Sequence, residues 1–234
     1  MINNSNQEFY LGGYFIIKPT PRANWMNCNV LDEKILSASS CICDFYPDIN
    51  VFWNKSQKVK ESYKKTLEID DFTYDKMEYW INEAFEKSIE SPNVFNNYES
   101  AIEFYNKFLS KQQDLKIIGI AIHKTHKDSF VEEQDDLTYG ICKNLNKLIP
   151  IDIQNTILGY EILGYEFGGF HSYICNGLEN KYYEKYKLVL NENGFIPTLE
   201  EANILSNYTN DEIDGKEPVL WLPWAILDTP FNKG

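Results

Sequence analysis

Apolar and polar positions fall in blocks along the chain, and the blocks predict strands and helices in segregated runs. Phe9 to Lys18 is almost wholly apolar around Gly12-Gly13, which predicts a strand with a bulge or a close backbone approach, ended by Pro19 and Pro21. Ile35 to Tyr46 predicts a second strand, rich in small residues and closed by Pro47-Asp48. Three helices follow. Lys55 to Leu67 is the weakest, carried by Val59, Tyr63 and Leu67. In the next, Met77, Trp80, Ile81, Ala84, Phe85 and Ile89 share a face. In the third, Tyr98, Ala101, Ile102, Tyr105, Phe108 and Leu109 recur at helical spacing, with Asn96 and Glu99 as a cap.

Leu115 to His123 is a continuous apolar run apart from Lys116 and predicts a buried strand. Lys124 to Asp136 is polar and predicts a surface loop, and Leu137 to Leu148 a helix up to Pro150. Thr156 to Phe167 is a strand with two Gly-Tyr-Glu tripeptides, at 159–161 and 164–166. Leu178 to Leu190 is an amphipathic helix stopped at Asn193-Gly194, and Thr198 to Glu201 is a capping box that opens a short helix. Asp211 to Glu217 reads as an acidic loop. Val219 to Leu227 is a last strand whose Pro223 implies an edge position or a bulge. Helices clustered between strands predict an α+β fold, a mostly antiparallel sheet with helices packed on one face. No Gly-, Pro- or Ser-rich linker divides the chain, so residues 1–234 are expected to form a single domain.

Charge narrows the function classes. The net charge is −13 and Arg22 is the only arginine. A nucleic-acid or anionic-membrane binder needs clustered basic groups, so neither partner is expected. A basic protein partner is favoured by long-range attraction. Aromatic residues make up 15% of the chain, Tyr and Phe above all, which suits dense packing or a tyrosine-bearing contact surface. The polar opening Met1 to Glu8 lacks an export signal, and five cysteines is an odd count. A reduced, cytoplasmic compartment with free, mostly buried thiols is therefore expected.

Candidate chemistry is sparse. Cys41-x-Cys43, with Cys28 upstream, has the wrong spacing for a zinc knuckle. On a strand both thiols would point to one face and pack as small hydrophobes. His123-x-x-His126 lacks a metalloprotease glutamate and reads as loop histidines. No cofactor or metal is expected. Glu161 and Glu166 lie five apart, on opposite faces of an unbroken strand, and make a poor acid–base pair. The tightest polar cluster is His171-Ser172 with Cys175 close behind, after Gly168-Gly169. It allows two readings: a structural histidine where a strand turns into a helix, or a small cytosolic hydrolase using His171 with Cys175 or Ser172.

Leu36 to Asp44, the strand 159–166 with Phe170-His171-Ser172 and Cys175-Asn176-Gly177-Leu178, Asn193-Gly194-Phe195-Ile196 and the closing Trp221-Leu222-Pro223-Trp224 together resemble cytoplasmic immunity-type proteins of bacterial polymorphic toxin systems. The resemblance implies a non-enzymatic protein that binds and occludes a cognate toxin, here a basic one. Three surfaces are candidates for that contact: Glu132, Glu133, Asp135 and Asp136; Asp211, Glu212, Asp214 and Glu217; and the tyrosines Tyr182, Tyr183 and Tyr186. A phage or mobile-element accessory protein is a third class.

Overall fold

The computed structural model of the chain describes residues 8–54, 56–85, 89–90, 94–134, 138, 140–152, 154–166 and 168–233. In chain order the elements are β1 (Phe9–Lys18), β2 (Thr20–Pro21), β3 (Lys34–Ile35), β4 (Asp44–Tyr46), α1 (Ile49–Asn54), α2 (Gln57–Leu67), α3 (Asp71–Phe85), β5 (Ile89–Glu90) and β6 (Val94–Phe95). There follow α4 (Tyr98–Phe104), a single π-helical turn over Tyr105–Leu109, β7 (Lys116–His123), α5 (Lys124–Glu132), α6 (Gly140–Asn146), β8 (Thr156–Glu166) and β9 (Gly169–Ser172). Then come α7 (Leu178–Tyr186), α8 (Leu199–Glu212), β10 (Trp221–Asp228) and a short 3-10 helix over Pro230–Lys233. The architecture is α+β in one domain, an antiparallel sheet with helices packed against it, α4 and α6 on β1 and α8 on β8 and β10.

The main sheet runs β5-β6-β1-β7-β10-β8-β9, and β4 pairs with β1 beyond β6. Directly opposed residues share a face. The pairs Phe15–Ile118, Ile122–Trp224, Trp224–Glu161, Leu163–Ser172 and Tyr165–Phe170 therefore line one side. On a flat sheet β1 and β9 would lie about 19 Å apart. The rings of Phe15 and Phe170 are instead 6.4 Å apart, and Phe170 also meets Trp224 at 5.0 Å. The sheet is curled around these aromatics, and the segment between β3 and β4 lies inside the curl.

Several elements depart from the pattern. Only the ends of the predicted strand 35–46 pair, as β3 and β4, and the middle is a turn. Cys41 is exposed there while Cys43 is buried, so the two thiols do not share a face. Lys124–Glu132 is a helix and not a loop. The His123 side chain caps it by accepting from Thr125 N, and Phe130, buried against Trp224 and Tyr165, fastens it. One buried residue in nine leaves no periodic signal to read. His123 is thus a buried cap, and His126 bonds Asn203 at 2.7 Å with its basicity lowered by burial; neither is an exposed loop histidine. The cap of α4 is Asn97, one residue later than predicted, because its extended backbone aims Oδ1 at Ser100 N. Ile89 lies in a short strand and not on a helix. The helix predicted over 137–148 is confined to Gly140–Asn146.

The helix from Leu178 stops at Tyr186, where Lys187 takes the left-handed conformation at φ 56°, well before Asn193-Gly194. Thr198 caps α8 as predicted, with Oγ1 accepting from Glu201 N at 3.2 Å, while Glu201 Oε2 accepts from the Thr198 hydroxyl at 2.9 Å and not from its backbone N–H. The helix runs on to Glu212, so Asp211 and Glu212 are its last turn and not part of a loop. Pro223 sits in a strand flanked on both sides by others, yet β10 pairs with β7 only from Trp224 onward, so no ladder donor is missed. The bulge of β10 lies farther on, between Ile226 and Leu227. Glycine is obligatory in the first Gly-Tyr-Glu tripeptide: Gly159 has φ +147°, and a Cβ there would come within 2.6 Å of Phe195 Cβ.

Candidate functional site

The polar cluster of the sequence is split by the sheet. His171 and Ser172 are neighbours on the edge strand β9 and project to opposite faces, as the strand period requires. Ser172 points into the curl and is fully buried. Its hydroxyl donates to Glu161 Oε1 at 2.7 Å. Glu161 also accepts from Ser37 Oγ at 2.6 Å and from Ala38 N at 2.9 Å. Loss of solvent pushes this carboxyl above the usual carboxylate range, with the three hydrogen bonds pulling the other way. Glu161 thus fastens two distant segments, the turn after β3 and the strand β9. Ser39 adds a third tie by donating to Phe170 O at 2.7 Å.

Those ties bring the next residues of the turn around the free edge of β9. Cys41 N donates to Ser39 Oγ at 3.3 Å, Cys175 lies in the turn after β9, and His171 is close to Cys41. Ser39 Oγ is 3.5 Å from Cys175 Sγ. The Cys41 thiol is pulled down to about 5, first by the hydrogen bond from Cys175, against burial, and then by Ser39 and His171. Cys175 is pushed up, first by Cys41 and then by burial. His171 lies between two carboxylates, with Nε2 3.7 Å from Glu166 and Nδ1 3.8 Å from Glu217. The predicted separation of Glu161 and Glu166 onto opposite faces therefore holds, and it places them in different clusters. Asn176 Nδ2 and Glu217 Oε2, beside this cluster, are buried with no hydrogen-bond partner among the described residues.

The chemistry available is that of a thiolate with an adjacent thiol and an imidazole. Ser172, bound to Glu161 out of solvent, is not free to attack. Cys41 is the exposed and Cys175 the half-buried member of the pair, so the sulfur open to a ligand is that of Cys41. Cys28 is also exposed, Cys175 is half-buried, and only Cys43 and Cys142 lie inside, so the thiols are free but not mostly buried. No group of three or more His, Cys, Asp or Glu side chains among the described residues is placed to hold a metal ion.

The predicted contact residues scatter. Tyr182 is fully buried, stacked on Tyr173 at 5.4 Å and bonded to Thr209 through its hydroxyl, which removes it from any surface. Tyr183 is half-buried and Tyr186 exposed. Glu132 and Glu133 are exposed at the end of α5; Asp135 and Asp136 lie outside the described residues. Asp211, Glu212 and Asp214 are exposed, and Glu217 turns toward His171. Two of the three surfaces join. Lys185 of α7 pairs with Glu212 of α8 at 2.6 Å and sits over the Tyr208 ring, and Tyr208 meets Tyr186 at 5.4 Å.

No family model, curated protein or solved structure matches this chain. Among the described residues no helix is long and apolar enough to cross a membrane.

Proposed function

We propose that this chain is an immunity-type inhibitor that captures and occludes a basic protein toxin through the surface shared by α7 and α8. One observation carries this reading. Ile204, Tyr208 and Asp211 recur on one face of α8, and Tyr186 of α7 lies against Tyr208, so half-buried and exposed apolar groups stand beside exposed Asp211 and Asp214, with Glu212 paired to Lys185 over the Tyr208 ring. Ile204 is 46% and Tyr186 40% exposed, and with Tyr208 between them they offer apolar surface to a partner. Carboxylates around aromatic anchors are the layout of a rim that speeds encounter and a centre that supplies affinity. The net charge of −13 extends the attraction to the whole molecule and selects a basic partner.

The test uses Asp211→Lys with Asp214→Lys. Lysine near the C-terminus of α8 favours the helix dipole, so the variant is expected to fold. The wild-type chain should capture a basic protein from its host and abolish that protein's activity at one-to-one stoichiometry. The double variant should associate with it about tenfold more slowly at low salt, with a flatter salt dependence and little change in dissociation. An unchanged association rate, or a captured protein that stays fully active, would overturn the reading.

A further inference from the structure

Ser39 Oγ lies 3.3 Å from Cys41 N and 3.5 Å from Cys175 Sγ and so gathers two cysteines from remote parts of the chain at the edge of the sheet, and nothing in the partner reading uses them. Their neighbourhood is specific. The turn that carries Cys41 is tied to β9 by Ser39 and, through Glu161, by Ser37 and Ser172, so the backbones on both sides of the thiol pair are already held together. Cys41 is exposed and Cys175 half-buried beneath it. The His171 imidazole, with Glu166 and Glu217 at 3.7 and 3.8 Å, lies close to Cys41. An exposed thiolate backed by a second thiol is the arrangement of cysteines that oxidise reversibly.

We propose that Cys41 and Cys175 form a hydroperoxide-reactive pair, Cys41 as attacking thiolate and Cys175 as resolving thiol, which closes to an intramolecular disulfide. In the first step the Cys41 sulfur attacks the outer oxygen of the hydroperoxide. The S–O bond forms as the O–O bond breaks. The leaving oxygen takes a proton from solvent and departs as water or an alcohol, and Cys41 becomes a sulfenic acid. In the second step Cys175 loses its proton and its sulfur attacks the Cys41 sulfur. The S–S bond forms, the S–O bond breaks, and the hydroxide takes up that proton as water. The sulfurs give up two electrons in all, and the hydroperoxide accepts them.

The order of the steps follows from exposure, since Cys41 is open to a hydroperoxide and Cys175 is half-buried, and the electrostatics of the pair agree. While Cys41 is a thiolate, its hydrogen bond and charge are what chiefly hold the proton on Cys175. Conversion of Cys41 to a neutral sulfenic acid removes that cause and leaves burial against the help of the Ser39 hydroxyl and a backbone hydrogen bond at Ser172. Cys175 therefore becomes a better nucleophile once there is a sulfenic acid to resolve. The groups that face the pair are His171, with Glu166 and Glu217 around it, and the Ser39 hydroxyl. Closure removes a negative charge beside His171 and locks the 39–43 turn to β9. A dithiol reductant reverses it.

The experiment treats the fully reduced chain with one to a few equivalents of hydrogen peroxide, blocks remaining thiols with iodoacetamide and maps the products by mass spectrometry under non-reducing conditions. The expected product is a Cys41–Cys175 cross-linked peptide, with the exposed Cys28 still alkylated as internal reference. Cys175→Ser should accumulate sulfenic acid at Cys41, trapped as a dimedone adduct. Without peroxide, alkylation of Cys41 should stay fast as pH falls and decline only near pH 5, where its thiolate takes a proton. The proposal is overturned if Cys41 oxidises no faster than Cys28, or if it proceeds to higher oxides while Cys175 stays a free thiol. Neither outcome depends on whether α7 and α8 bind a partner.

Discussion

The two faces of the β8–β9 edge carry the same kinds of side chain and treat them oppositely. On the concave face, Glu161 is 1% exposed and each of its oxygens has a donor; removing it would strand two hydroxyls and an amide. On the outer face, Glu166, Glu217, His171 and Cys41 meet at longer distances and in partial contact with water, and polar atoms beside them are left without partners. The inner cluster is built for rigidity and the outer one keeps reactivity. Residue type does not separate a structural carboxylate from a reactive centre; burial and the number of donors do.

The contrast can be broken by mutation. Glu161→Ala should have the largest effect, roughly 3–5 kcal/mol of stability, because a buried polar network loses its shared acceptor. Urea unfolding of variant and wild type measures it, and a loss below 1 kcal/mol would erase the distinction between the faces. Ser39→Ala comes next, at about 1–3 kcal/mol, since a buried carbonyl of β9 loses its donor. It should also lower the alkylation rate of Cys41, because Ser39 helps hold that thiolate. A stability loss with unchanged Cys41 reactivity would show that the two clusters are not coupled through this residue.

The pH dependence is a finer probe. The folded-state pKa of Glu161 is raised, so the neutral carboxyl is favoured by folding. Its contribution is fully present below the unfolded-state pKa and is lost as pH rises through the folded-state value. Glu161→Gln should therefore cost most near pH 4 and progressively less toward neutrality, read as the difference in melting temperature across a pH series. A difference that widens with pH would reverse the assignment. The smallest effect is expected for His171→Ala, under about 1 kcal/mol, because its contacts with Glu166 and Glu217 are long and partly exposed. A cost equal to that of Glu161→Ala would make the outer cluster structural too.

Much of the sheet was legible in the chain. β1, β7, β8 and β10 are long apolar runs, and the Thr198 cap of α8 announced itself. The helix α5 was not legible, since a single buried phenylalanine and a histidine cap carry it. The candidate site was half legible: His171, Ser172 and Cys175 form a local cluster, and the strand period separates His171 from Ser172. Cys41, Ser39 and Glu217 lie far off in the chain, and Cys41 looked like the partner of Cys43. The structure turns those two thiols apart because residues 36–43 form a turn and not a strand.

By itself the sequence determined the α+β class, the acidic surface, the thiol inventory and the strand parity that sends Glu161 and Glu166 to different faces. These follow from local period and from composition, which need no knowledge of what lies across the core. Only the tertiary structure decided that Tyr182 is inside, that α7 and α8 share one surface, and that Cys41 stands beside Cys175 and His171. Each of those facts is a long-range pairing. The curl of the sheet and the donors gathered by Glu161 set it, and no short window of the chain encodes either one.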